Sequence, residues 1–173
     1  MKATDIDRPI FDDPPDNLGD RDFEFGHLLV SGGGMETIEV AWAFRAAGDR
    51  LLLAAAENRE SWEAAYPILF CYRHALEVYL KAVAPEIQKV HDLKVLWEQV
   101  RKNIKDRYAA DQVRLLGDRI MEFHQIDPRS TSFRYADAPP KTTATELWVD
   151  FRRLKATLDI IFGALDRIRL DGA

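Results

Sequence analysis

The chain has 173 residues, 47% of them hydrophobic and 31% charged, with a formal net charge of −5. That balance suits a water-soluble globule with a real core and excludes a low-hydrophobicity disordered chain. No apolar run approaches the roughly 20 residues that cross a bilayer, no apolar h-region marks the N-terminus for export, and the lone cysteine has no internal disulfide partner, so the expected location is the cytoplasm.

Residues 1–34 read as an irregular acidic segment ending in a Gly-rich hinge, Ser31-Gly32-Gly33-Gly34. Residues 1–26 carry eight acids against Lys2, Arg8 and Arg21, which accounts for the whole net charge of −5. From residue 27 onward 21 acids meet 21 bases. The glycine run lacks the Lys-Ser/Thr pair of a phosphate-cradling loop, so a hinge before a helix is the reading.

Residues 35–173 read as an all-α, antiparallel up-and-down bundle of four to five helices. The first is expected over 36–56, where Ile38 and Trp42, and Val40 and Phe44, lie four apart. The second runs over 61–83 and stops before Pro85; Pro67 either kinks its first turns or marks where the straight helix begins. Its stripe is Leu69, Tyr72, Leu76, Leu80 and Val83, with Cys71 as a buried thiol and Glu77–Lys81 as an exposed i,i+4 pair. Arg73 and His74, beside that stripe, are expected in packing or in an interior polar network.

Asp92 is a suitable N-cap for the third helix, which stacks Leu93, Leu96, Trp97 and Val100. The fourth covers 109–126 with Val113, Leu116, Ile120 and Phe123 on one side. The fifth has the longest stripe: Leu147, Phe151, Leu154, Leu158, Ile161, Leu165 and Ile168 alternate spacings of four and three. Such a stripe can pack against neighbouring helices or against a second copy of the chain.

One connection is long. Residues 127–143 separate the fourth and fifth helices, and structureless links beyond about 12–15 residues are uncommon in compact domains. This one contains Arg129, Phe133, Arg134 and Tyr135, so it is expected to lie ordered against the bundle. Residues 101–134 also hold eight Arg/Lys against five Asp/Glu, a local excess compatible with phosphate contacts, though solvated helix faces look the same and are the commoner cause.

The four histidines, His27, His74, His91 and His124, share no metal-ligand spacing, and neither a metal nor another cofactor is expected. No Ser/His/Asp set can be assigned. The chemistry left open is an Arg beside a His: a planar fork for phosphate and a ring that exchanges protons near neutral pH.

The segments Tyr72-Arg73-His74-Ala75-Leu76-Glu77-Val78-Tyr79-Leu80-Lys81-Ala82 and His91-Asp92-Leu93-Lys94-Val95-Leu96-Trp97 resemble matching helices of HEPN domains (higher eukaryotes and prokaryotes nucleotide-binding). The Phe133-Arg134-Tyr135 segment ahead of a long last helix is similar too, and the resemblance spans residues 36–170. It implies frequent homodimerisation and a group rich in bacterial toxins, antiphage proteins and ribonucleases, some members being silent binding modules. An antitoxin or nucleotidyltransferase partner is the corresponding expectation. Catalytic members carry an Arg, usually followed by a polar residue, with a His after four to six intervening positions. Arg119 to His124 matches with Ile120 at the polar place; Arg21 to His27 has the polar residue but lies in the acidic segment.

The resemblance therefore implies a protein acting on or near RNA or nucleotides. If catalytic, it is a metal-independent endoribonuclease in which His124 moves the proton and Arg119 stabilises phosphorane-like charge. Asp127, Arg129, Ser130, Arg134 and Tyr135 form the candidate binding surface beside His124, although Asp127 and Ser130 could equally close a turn around Pro128. The alternative is a non-catalytic interaction module whose last helix docks on a partner or on its own twin.

Overall fold

A computed structural model describes residues 35–59, 62–87, 89–135 and 147–172. The acidic segment 1–34, with the Arg21–His27 pair, and residues 136–143 of the crossover lie outside them. The described residues form five α-helices and no strand: α1 Thr37–Asn58, α2 Ala65–Val83, α3 Leu93–Ile104, α4 Ala110–Ile126 and α5 Phe151–Asp171. All five belong to one unit, 36–173. The chain is an all-α antiparallel bundle, as its stripes imply. Among the described residues no helix is long and apolar enough to cross a membrane.

Local chemistry sets the helix ends. The Glu39 carboxylate accepts the Glu36 backbone N–H at 2.8 Å, and α1 ends at Arg59, which takes the left-handed conformation (φ 50°). A short 3₁₀ turn, Trp62–Ala64, leads into α2, so Pro67 falls in the first turn of the helix. Its missing N–H would have had no helical acceptor there, and the helix starts rather than kinks. Asp92 caps α3, its Oδ1 accepting the amides of Lys94 at 2.8 Å and Val95 at 3.2 Å. Asp150 does the same for α5 through Arg152 and Arg153. Leu147 therefore precedes the last helix, and its stripe begins half-buried at Phe151 and Leu154 and is fully inside only from Leu158.

The core is organised around α2, which packs against α1, α3 and α5. Tyr72, Leu76, Tyr79 and Leu80 are fully buried, and the Tyr79 and Phe162 rings lie 4.9 Å apart. Each such side chain contributes about 1.5–3 kcal/mol by leaving water. The α1 and α5 helices run antiparallel: Arg169 stacks on Trp42, Arg45 bonds Asp159 at 3.0 Å, and Lys155 lies 3.5 Å from Asp49. Gly117 lets α4 approach α3, since a Cβ there would meet Trp97 Nε1 at 2.5 Å.

Candidate functional site

Three charged residues of α2 lie inside the bundle. Arg73 is fully buried, Glu77 is 1% exposed and Lys81 8% exposed. The expectation of an exposed Glu77–Lys81 pair is thus overturned. Because α2 is covered on several sides, its charged row at 73, 77 and 81 has no solvent to face and must find partners within. Arg73 Nη1 donates to Glu77 Oε2 at 2.6 Å, Arg73 Nη2 to the His91 carbonyl at 2.9 Å, and Lys81 Nζ to Glu77 Oε1 at 2.9 Å. Arg73 Nε lies 3.4 Å from both the carbonyl and the carboxylate Oδ2 of Asp127. Two cations and two carboxylates balance. The interior polar network expected for Arg73 is present.

Glu77 also orients His91, whose Nδ1 lies 2.7 Å from Oε1 while its side chain is 70% exposed. Burial pushes the Glu77 carboxyl up, but the Lys81 and His91 hydrogen bonds, with the Lys81 and Arg73 charges, outweigh it and hold the carboxyl below its usual range. An ionised Glu77 can only accept, so Nδ1 donates to it while most of the His91 ring stays exposed.

The crossover is fastened to this network by Asp127, which is 1% exposed. Its Oδ1 accepts the amides of Thr131 at 2.7 Å and Ser132 at 3.0 Å. Ser130, buried, takes a left-handed conformation (φ 57°), and its carbonyl accepts Arg134 Nε at 2.5 Å. Phe133 is buried beneath. Residues 127–135 thus lie ordered against the bundle, with Asp127 and Ser130 closing the turn around Pro128. Of the candidate binding residues, Arg129, Arg134 and Tyr135 are exposed.

Arg134 occupies an aromatic surrounding. Its guanidinium carbon lies 5.8 Å from the Phe70 ring centre and 5.3 Å from that of Tyr135. Phe70 stacks on His74 (5.8 Å, 14° between planes), and Phe44 meets His74 edge-on at 4.3 Å. Burial lowers the His74 pKa, as do the charges of Lys81, Arg73 and Arg134, against an opposing pull from Glu77. This ring is a neutral packing group at pH 7.

Arg119 and His124 point to different neighbours. Arg119 Nη1 pairs with Glu122 Oε1 at 2.6 Å and lines grooves towards α5. His124 turns towards α3, its Nδ1 3.4 Å from Asp92 Oδ1. That oxygen accepts the two capping amides of α3, and His124 Nδ1, buried, makes no hydrogen bond among the described residues. Five residues of helix separate two side chains by about 140°, and here the two face different neighbours.

A second surface lies on α4 and α5. A groove of about 470 Å³ runs between them, lined by Leu115, Leu116, Ile160, Ala164 and others, and Trp148 extends the apolar face beside Leu147. Ile160 is 72% and Trp148 91% exposed. Among the described residues no three His, Cys, Asp or Glu side chains form a set able to hold a metal ion.

No protein-family model matches this chain, and neither a search of characterised proteins nor one of solved structures returns a match. Sequence reasoning missed Glu77, Lys81 and His91 as a unit. The signal was present: Arg73, Glu77 and Lys81 repeat every four residues on a helix whose remaining faces carry Ile68, Ala75, Val78 and Tyr79.

Proposed function

We propose that this is a HEPN-like helical protein that acts on or near RNA or nucleotides, in a bacterial toxin–antitoxin or antiphage defence setting. One observation carries the reading. The charged residues of the two resembling segments, Arg73, Glu77, Lys81 and His91, converge in one network, and the arginine-bearing crossover is pinned to it through Asp127. An imidazole held by a buried carboxylate, with Arg129 and Arg134 exposed on the adjoining turn, suits contact with a phosphate-bearing chain. Catalysis, if present, is metal-independent RNA cleavage drawing on Arg119 and His124, and a second copy would have to supply the geometry that one protomer lacks. The expected partners are RNA or a nucleotide, a second copy, and an antitoxin or nucleotidyltransferase.

Incubating the purified protein with RNA in EDTA tests this. Binding or cleavage supports it, and loss of cleavage in His124→Ala with helical content intact would assign the chemistry. RNA left unbound and uncut at high protein concentration contradicts it.

A second reading, a non-catalytic dimerisation module, is favoured by the apolar α4–α5 face. The grooves along it share Arg119, Thr157 and Ile161, so the face is continuous. A second copy of the chain is its occupant in this reading, and light scattering at increasing concentration tests it.

A further inference from the structure

Phe44, His74, Phe70, Arg134 and Tyr135 form an unbroken series of ring and guanidinium contacts that begins half-buried on α1 and ends on an exposed tyrosine. The series needs an account, because Arg134 has a simpler option. Exposed arginines on a helical bundle usually pair with a helix carboxylate or extend into water. This one is held in place by the Ser130 carbonyl through Nε, and its guanidinium carbon lies 5.8 and 5.3 Å from two ring centres. Among the described residues no carboxylate pairs with its two terminal nitrogens, which remain free to donate. Tyr135 is 53% exposed, so the ring carries Arg134 on one side and has open surface besides. The base of the series is stiff: His74 is wedged between Phe44 and Phe70, and Phe133 and Ser130 anchor the turn from below.

We infer that Tyr135 and Arg134 form a base-stacking platform for single-stranded RNA, a nucleobase lying on the exposed Tyr135 ring and the adjacent phosphate taking the Arg134 terminal N–H groups. Stacking on an aromatic ring beside an arginine is how sequence-tolerant single-strand binders hold bases, since every base offers a π-face. The fork geometry of arginine adds a two-point contact to phosphate that a lysine cannot reproduce. Rigid support matters as well, because a platform already ordered loses little freedom when the base arrives. The inference rests on the RNA reading above and names where on the protein the RNA lies.

The test is fluorescence anisotropy of a short labelled oligouridine against the full-length protein, its Tyr135→Ala and Arg134→Lys variants, and an abasic oligomer of equal length. Both side chains are exposed, and circular dichroism confirms that the variants keep their helices. Tyr135→Ala is expected to weaken binding by about 5- to 150-fold, the range for one lost base stack. Arg134→Lys preserves charge and should still weaken binding, and the abasic oligomer should bind the wild type no better than the oligouridine binds Tyr135→Ala. Equal affinity of wild type and both variants overturns the platform while leaving the RNA reading standing. Absence of any oligouridine binding by the wild type overturns both.

Discussion

Replacing Glu77 with glutamine keeps the side chain's shape and removes one charge from a site that is 1% exposed. Arg73 would keep its carbonyl contact at His91 and its approach to Asp127, but its 2.6 Å partner would no longer be a carboxylate. Lys81 would lose one ionised partner, at 2.9 Å. Breaking a buried ion pair from one side costs about 3–5 kcal/mol, against a total stability of about 5–15 kcal/mol for a domain. Lys81 can slide its ammonium towards water, which places the expectation near the lower end, about 3 kcal/mol. Urea unfolding followed by circular dichroism measures it, with the midpoint falling by about 1–3 M at an unchanged slope. The acid limb should respond too. The Glu77 carboxyl is held below its usual range, so its contribution is complete above about pH 4.3 and is lost as the pH falls through the lower folded value. Glu77→Gln should flatten that limb. The double variant Arg73→Met/Glu77→Leu should cost less than the sum of its single changes. A loss below about 0.5 kcal/mol for Glu77→Gln, the scale of an exposed pair, would refute the buried network.

Three further outcomes follow from the geometry. Gly117→Ala would put a methyl group against the Trp97 indole; overpacking of about 1–3 kcal/mol should exceed the gain of up to about 1 kcal/mol in helix propensity, lowering the melting temperature. Asp127→Ala removes the acceptor of the Thr131 and Ser132 amides, so hydrogen exchange at those two positions should accelerate while α1 stays protected. Ile160→Asp, on the outer face of α5, should change folding stability by no more than about 0.5 kcal/mol. If the α4–α5 face pairs with a second copy, light scattering should show the same variant shifting to monomer.

The helices were legible because their stripes are regular: Leu158, Ile161, Leu165 and Ile168 follow the spacing of a buried face, and all four are buried. Asp92 was legible as a cap because its carboxylate acts on the next turn of its own chain. What spacing could not convey was how many neighbours surround a helix. Glu77 and Lys81 have the i,i+4 pattern of an exposed pair, and only the packing of α1, α3 and α5 around α2 turns them inward. The site suffered from the same limit. Arg119 and His124 satisfy a one-dimensional spacing, yet α4 sends one towards α5 and the other to Asp92. Asp127 meets Arg73 across 54 positions of sequence, a contact that no local pattern encodes.

The most direct test of the account is to crosslink the protein by ultraviolet light to a uridine-containing RNA and locate the adducts by mass spectrometry. The account predicts adducts on the crossover peptide that contains Phe133, Arg134 and Tyr135. Adducts confined to the α4–α5 face, or none at all under conditions where a known single-strand binder reacts, would contradict it.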